Sequence, residues 1–166
     1  MYMNDNENMS MVSEGKLERT IKECGRAVSV PVGKSMWPML KNRKDHIVIV
    51  AVTRPLRRYD VPMYQRSKDR YVLHRIIKVK KDGGYVICGD NLWRKEYDIT
   101  DEQIVGVLAG FFKGERYIDC ETNRLYHAYV YIWRALYPVR SCILIAREYG
   151  SRIKRRIKGV CTNGRQ

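Results

Sequence analysis

The stretch Tyr71–Asp90, YVLHRIIKVKKDGGYVICGD, decides how this chain is read. Two alternating runs, RIIKVK and YVICGD, flank Lys81–Gly84, and Asp82-Gly83 supplies the backbone freedom of a tight turn. The alternation gives each run one apolar face, so the two runs are expected to pair as an antiparallel hairpin. Working outward, VSVPV (residues 28–32) and HIVIVAV (46–52) are further β-branched runs, separated by the turn material KNRKD and RPLRRYD. YVLHRIIKVK (71–80) reads as one continuous strand. Downstream, Ile104–Phe112 and Arg116–Asp119 form another strand pair around Lys113 and Gly114, with DEQ as a short entry.

The two ends read as helices. Leu17, Ile21 and Cys24 recur at helical spacing, with Ser13 placed to cap the helix and Gly25 to end it. After Thr122 the pattern is again helical, with a break expected at Pro138. Leu125, Tyr129, Ile132, Trp133 and Leu136 form one apolar stripe, and Ile143–Ala146 lie on the next helix. The fold class is therefore mainly β, α+β overall, with an N-terminal helix and a basic C-terminal helical tail. Residues 1–27 are the N-terminal segment, 28–121 the β module and 122–166 the tail.

With 45% hydrophobic and 30% charged residues, the chain of 166 is too apolar for disorder and too polar for a multi-spanning membrane protein. The net charge of +14 is concentrated late: Arg147, Arg152, Lys154, Arg155, Arg156 and Lys158 surround a single acid, Glu148. Nucleic acid, anionic lipid headgroups and the ribosome all satisfy such a cluster, and a solvated cationic helix is the plain alternative. An amphipathic helix with aromatics on one side and flanking Lys or Arg has the composition of an interfacial anchor. Five scattered cysteines without CxxC spacing predict neither a disulfide framework nor a metal site, and no cofactor is called for. The opening MYMNDNENMS lacks the basic start and apolar core of a secretory signal, so a cytoplasmic setting, peripheral to a membrane at most, is expected.

The chemistry centres on GKSMWPML, residues 33–40. A nucleophilic Ser35 needs a general base and donors aimed at the developing oxyanion. Candidate bases are Lys34, His46, His74 and His127. Lys34 is adjacent and points to the opposite face of an extended segment, His46 opens a strand after a charged turn, and His127 lies in the tail. His74 sits in an apolar strand, where an imidazole needs a partner; a packed histidine with a structural role is the competing reading.

In order and character, GKSMWPML, DHIVIV, YVLHRII and CGDN resemble the signature boxes of the type I signal peptidase superfamily, which includes the self-cleaving SOS repressor peptidases. His74 followed by Arg75 resembles the histidine-type, endoplasmic-reticulum-like branch, where other members carry a lysine base. An ordinary imidazole, with a pKa of about 6.5, is already largely neutral near pH 7, whereas a lysine must be strongly desolvated. The resemblance implies a serine endopeptidase that cuts an extended peptide or preprotein after small residues. Ser35 becomes the nucleophile and His74 the base, with Asp90, or Asp98 with Asp101 behind it, orienting the imidazole. The backbone N–H of Ser35 becomes the oxyanion donor, and Gly33 stands where lysine-type enzymes carry a serine. Val30, Val32, Gly33 and Leu73 would line the substrate cleft, where substrate adds as a strand against VSVPV and the region near YVLH. Met36 and Pro38 take structural roles. Members of the superfamily normally carry a transmembrane anchor, and this chain shows none at its start. The alternatives are a non-enzymatic nucleic-acid or anionic-membrane binder, a self-cleaving regulator cut at Cys24-Gly25, and a partner-binding pseudoenzyme.

Overall fold

In a computed structural model, which describes residues 14–67 and 70–163, the chain builds two antiparallel sheets that meet at one histidine. The element order is α1 (Glu14–Cys24), β1 (Arg26–Ser29), β2 (His46–Val50), β3 (Pro62–Ser67), β4 (Arg70–Leu73), β5 (Arg75–Val79), β6 (Tyr85–Cys88) and β7 (Glu96–Ile99). A single 3-10 turn (Asp101–Gln103) leads into β8 (Ile104–Lys113), followed by β9 (Arg116–Asp119), α2 (Arg124–Ala135) and α3 (Tyr137–Asn163). Among the described residues the fold is mainly β, with one helix before the sheets and two after them. The expected cap Ser13 lies outside the described residues.

The larger sheet has the order β1-β2-β8-β3-β4, with β9 added to the end of β8. The ten-residue β8 is its spine, pairing with β2 on one side and with β3 and then β9 on the other. The smaller sheet is β5-β6-β7. Its β5–β6 hairpin turns through Lys80–Gly84, where Gly83 takes φ +86°, the conformation that the Asp-Gly pair anticipates.

Four sequence expectations need correcting. YVLHRIIKVK is not one strand: β4 pairs with β3, β5 pairs with β6, and the chain changes sheets at His74. The VSVPV run leaves the ladder after Ser29, because Pro31 has no N–H to contribute. Strands β3 and β7 lie where no strand was expected. The helical break also falls at Leu136, ahead of Pro138, which sits comfortably in the first turn of α3.

Leu17 and Ile21 of α1 cover one face of the large sheet, packing with Ile47, Ile49, Leu108 and Phe111. Tyr126 and Val130 of α2 join the same cluster, so this helix belongs to the core of the β module and is no separate tail. The expected stripe is accordingly rotated: Leu125, Ile132 and Leu136 are exposed, and the turned-in residues are Tyr126 and Val130, with Tyr129 and Trp133 half-buried. Hydroxyls decide this orientation, because Tyr126 and Tyr129 reach polar groups beneath the helix that an aliphatic side chain would leave unpaired. A second cluster of Tyr64, Val72, Ile76, Tyr85, Ile87 and Ile99 fills the junction of the two sheets.

Candidate active site

The two edges of the large sheet lead to the two candidate side chains. Edge strand β1 runs on through Val30–Lys34 into the half-buried Ser35, and the opposite edge, β4, ends at Leu73 and hands over to His74. What joins them is Gly89. A methyl group built there would lie 2.7 Å from the Ser35 carbonyl oxygen and 3.1 Å from His74 Cδ2. Only glycine lets the three segments approach so closely. Asn91 then fastens the serine loop, its backbone N–H donating to the Ser35 carbonyl at 2.7 Å and its side-chain amide to the Lys34 carbonyl at 3.1 Å. Each residue of the Gly-Asp-Asn box thus has its own positioning task.

His74 is buried, and its ring is held from one side. Nδ1 lies 2.9 Å from Glu96 Oε1 and 3.3 Å from the Tyr64 hydroxyl. Tyr64 also donates to Glu96 Oε1 at 2.7 Å, and Arg66 grips both oxygens of the same carboxylate at 2.6 and 2.9 Å. Burial by itself would raise the pKa of Glu96, but the hydrogen bonds from His74, Arg66 and Tyr64 outweigh it and bring the group down to about 2. An ionised carboxylate only accepts, so Nδ1 carries the proton, and in the neutral ring the lone pair is left on Nε2. Nε2 is buried and has no hydrogen-bond partner. An unsatisfied buried nitrogen costs about 1–3 kcal/mol, which makes this the one place in the His74 environment that calls for an incoming donor.

Glu96 replaces the aspartates expected from the sequence. Asp90 is fully buried, but it faces Arg75: Nε and Nη2 of the guanidinium bond its two oxygens at 2.9 and 2.8 Å. Asp90 also accepts from Tyr129 at 3.1 Å, and its carbonyl takes Trp133 Nε1 at 3.0 Å and Arg140. Arg75 adds bonds to the Tyr59 carbonyl, the Tyr126 hydroxyl and Met39 Sδ. Asp98 is exposed, sits at φ +62° and pairs with Lys80 across the small sheet. Asp101 accepts the Tyr85 hydroxyl at 2.7 Å. None of the three reaches the imidazole.

The other expected bases stay apart. Lys34 and His46 are exposed, and His127 Nε2 bonds the Glu121 carbonyl on the surface. Gly33 takes φ +109° and its N–H donates to Asn42 Oδ1, so glycine is needed for the backbone before Ser35. The Ser35 N–H has no acceptor among the described residues, which leaves it free for an oxyanion. Val30 and Val32 are half-buried beside the serine loop, and Met36 is buried beneath it. Leu73 does not line a cleft: it is buried in the main core and pairs with Met63.

Sequence reasoning missed Tyr64, Arg66 and Glu96. One signal was available, because Tyr64 and Arg66 stand two apart in PMYQRS and therefore share a strand face. No protein-family model matches the chain, and no curated protein shows detectable similarity to it.

Proposed function

We propose that the protein is a serine endopeptidase with Ser35 as nucleophile, His74 as general base and Glu96 as the acid that orients the imidazole. The observation that carries this reading is His74 itself, an imidazole fixed through Nδ1, with Nε2 buried, unpartnered and beside the segment that bears Ser35. A structural histidine would have both nitrogens satisfied.

The chemistry follows from those positions. Ser35 Oγ attacks the carbonyl carbon of a bound peptide while Nε2 takes the hydroxyl proton, and the resulting imidazolium is stabilised by Glu96. The oxyanion meets the Ser35 N–H. Nε2 then returns the proton to the leaving amine, and water releases the acyl group by the reverse sequence. Substrate adds as an extended strand to the edge strands β1 and β4, the elements from which the chain leads on to Ser35 and His74. The resemblance to the signal peptidase superfamily supports the same assignment and adds a preference for small residues before the cut.

Self-cleavage at Cys24-Gly25 is disfavoured by the bonds that hold that peptide: the Gly25 N–H donates to the Ile21 carbonyl, and the Gly25 carbonyl accepts from Ala51, both at 2.9 Å. Polyanion binding is compatible with the basic tail but leaves the His74 arrangement without a purpose.

The test is covalent labelling with a peptide boronate or an acylating serine probe, read by intact mass. Wild type should form one adduct and Ser35→Ala none. His74→Gln, whose fold is checked by circular dichroism, should label about 10³-fold more slowly. Equal adduct on Ser35→Ala, or none on a folded wild type across a panel of probes, would overturn the proposal.

A further inference from the structure

The two C-terminal helices have a second face that the site does not use. Their inner face is tied down: Tyr126 and Val130 are in the core, Trp133 and Arg140 bond the Asp90 carbonyl, and Tyr137 donates to the Trp93 carbonyl. Their outer face carries Leu125, Ile132, Leu136, Val139 and Ile143, which are 71, 61, 47, 61 and 54% exposed. These recur at steps of seven, four, three and four, so they form one aliphatic line across the α2–α3 junction, where the Leu136 and Arg140 N–H groups still bond four residues back. Nine Lys or Arg and one acid lie between Arg124 and Asn163. The acid, Glu148, is already engaged by Trp93 and Arg94.

We propose that this outer face lies on an anionic lipid surface, with α2 and α3 parallel to the membrane. Charge selects the occupant. A second copy docked on the same stripe would bring two strongly cationic helices together with no free acid to separate them. Nucleic acid would satisfy the charge but leave the aliphatic line against phosphate or water. An anionic bilayer supplies both partners at the depth of one side chain, headgroups for the cations and acyl chains for the aliphatic line. No helix among the described residues is long and apolar enough to cross a membrane, so the helices lie along the surface. Docking would also bear on the candidate site: Trp37, two residues from Ser35, meets Trp133 edge to face at 6.5 Å between ring centres. A helix pair seated on lipid therefore carries the serine loop with it, toward substrates presented at the membrane surface. That consequence rests on the peptidase reading; the docking does not.

Cosedimentation of the full chain with vesicles tests it, comparing phosphatidylcholine alone with phosphatidylcholine containing phosphatidylglycerol. The protein should bind only the anionic vesicles. Val139→Asp and Ile143→Asp should each weaken binding by about tenfold while leaving thermal melting unchanged, because both side chains are solvent-exposed. Absence of vesicle binding would overturn the proposal. So would binding that is abolished by salt and indifferent to Val139→Asp, competition by duplex DNA at equal charge, or a dimer in sedimentation that Val139→Asp dissociates. Serine labelling of the same samples separates the two proposals: vesicle binding with an inert Ser35 retires the peptidase alone, and labelling without vesicle binding retires the docking alone.

Discussion

His74 and Arg75 are neighbours in sequence and face opposite ways, and each meets a carboxylate. Arg75 and Asp90 are both sealed from solvent, and the guanidinium spends its donors on Asp90, Tyr59, Tyr126 and Met39. His74 is as deeply buried, but its acid, Glu96, is about one-quarter exposed, and one ring nitrogen is left with nothing to bond. Both pairs combine a basic side chain with an acid, so composition does not tell them apart. Saturation does: Arg75 and Asp90 spend their hydrogen-bonding groups on one another and on their neighbours, whereas His74 keeps one ring nitrogen unpaired, as the proposed general base requires.

The closed pair should give the largest effect on stability. Asp90→Ala leaves a buried guanidinium without its counter-charge and also frees Tyr129, so unfolding in urea should show a loss of about 3–5 kcal/mol. Part of this loss should appear as a loosened α2, since the Tyr129 hydroxyl loses its acceptor on the Asp90 carboxylate. A loss no larger than that of Glu96→Gln would erase the distinction between the two pairs.

How far the sequence reveals this arrangement follows from which strands announce themselves. The β5–β6 and β8–β9 hairpins are legible because alternation and turn residues agree, and Gly83 and Gly114 take the positive φ those turns demand. The acid was not legible. β3 opens on Pro62, and β7 is four residues long with two of them exposed, so neither gives a strand signal. Those are the strands that carry Tyr64, Arg66 and Glu96. Glu96 lies between Asp90 and Asp98 in sequence, 22 residues from His74, and only the pairing of β7 with β6 brings it, and neither aspartate, to the imidazole. The switch of sheets at His74 is hidden for a related reason: YVLHRII holds no Gly, Pro or other turn residue at the point where the hydrogen-bonding partner changes.

The open pair should give the next largest effect, on rate. Glu96→Gln keeps the shape but replaces an acceptor-only group with an amide that can donate to Nδ1 and invert the tautomer, so labelling of Ser35 should slow by about a hundredfold. Its pH signature has a definite sign. The folded-state pKa of Glu96 is depressed from 4.5 to about 2, so its contribution to stability is present above pH 4.5 and is lost as pH falls from there toward 2. Wild type should therefore lose stability more steeply than Glu96→Gln across that window in acid-unfolding curves. Parallel curves would mean that the carboxylate is no better stabilised in the folded protein than in the unfolded chain.

Tyr64→Phe should give the smallest effect and sharpens the comparison most. The hydroxyl donates to Glu96 and stands 3.3 Å from Nδ1, while burial, followed by the neighbouring Glu96, raises its own pKa and keeps it a neutral donor. Removing it takes one of the bonds that hold the carboxylate down, leaving Arg66 and His74 in place. The expected result is a loss of about 1 kcal/mol in stability and a few-fold slower labelling, with the Glu96 acid limb moved to higher pH. If labelling instead falls as far as in Glu96→Gln, the tyrosine itself sets the orientation of the imidazole, and the site works as a four-residue relay in which the carboxylate acts through Tyr64.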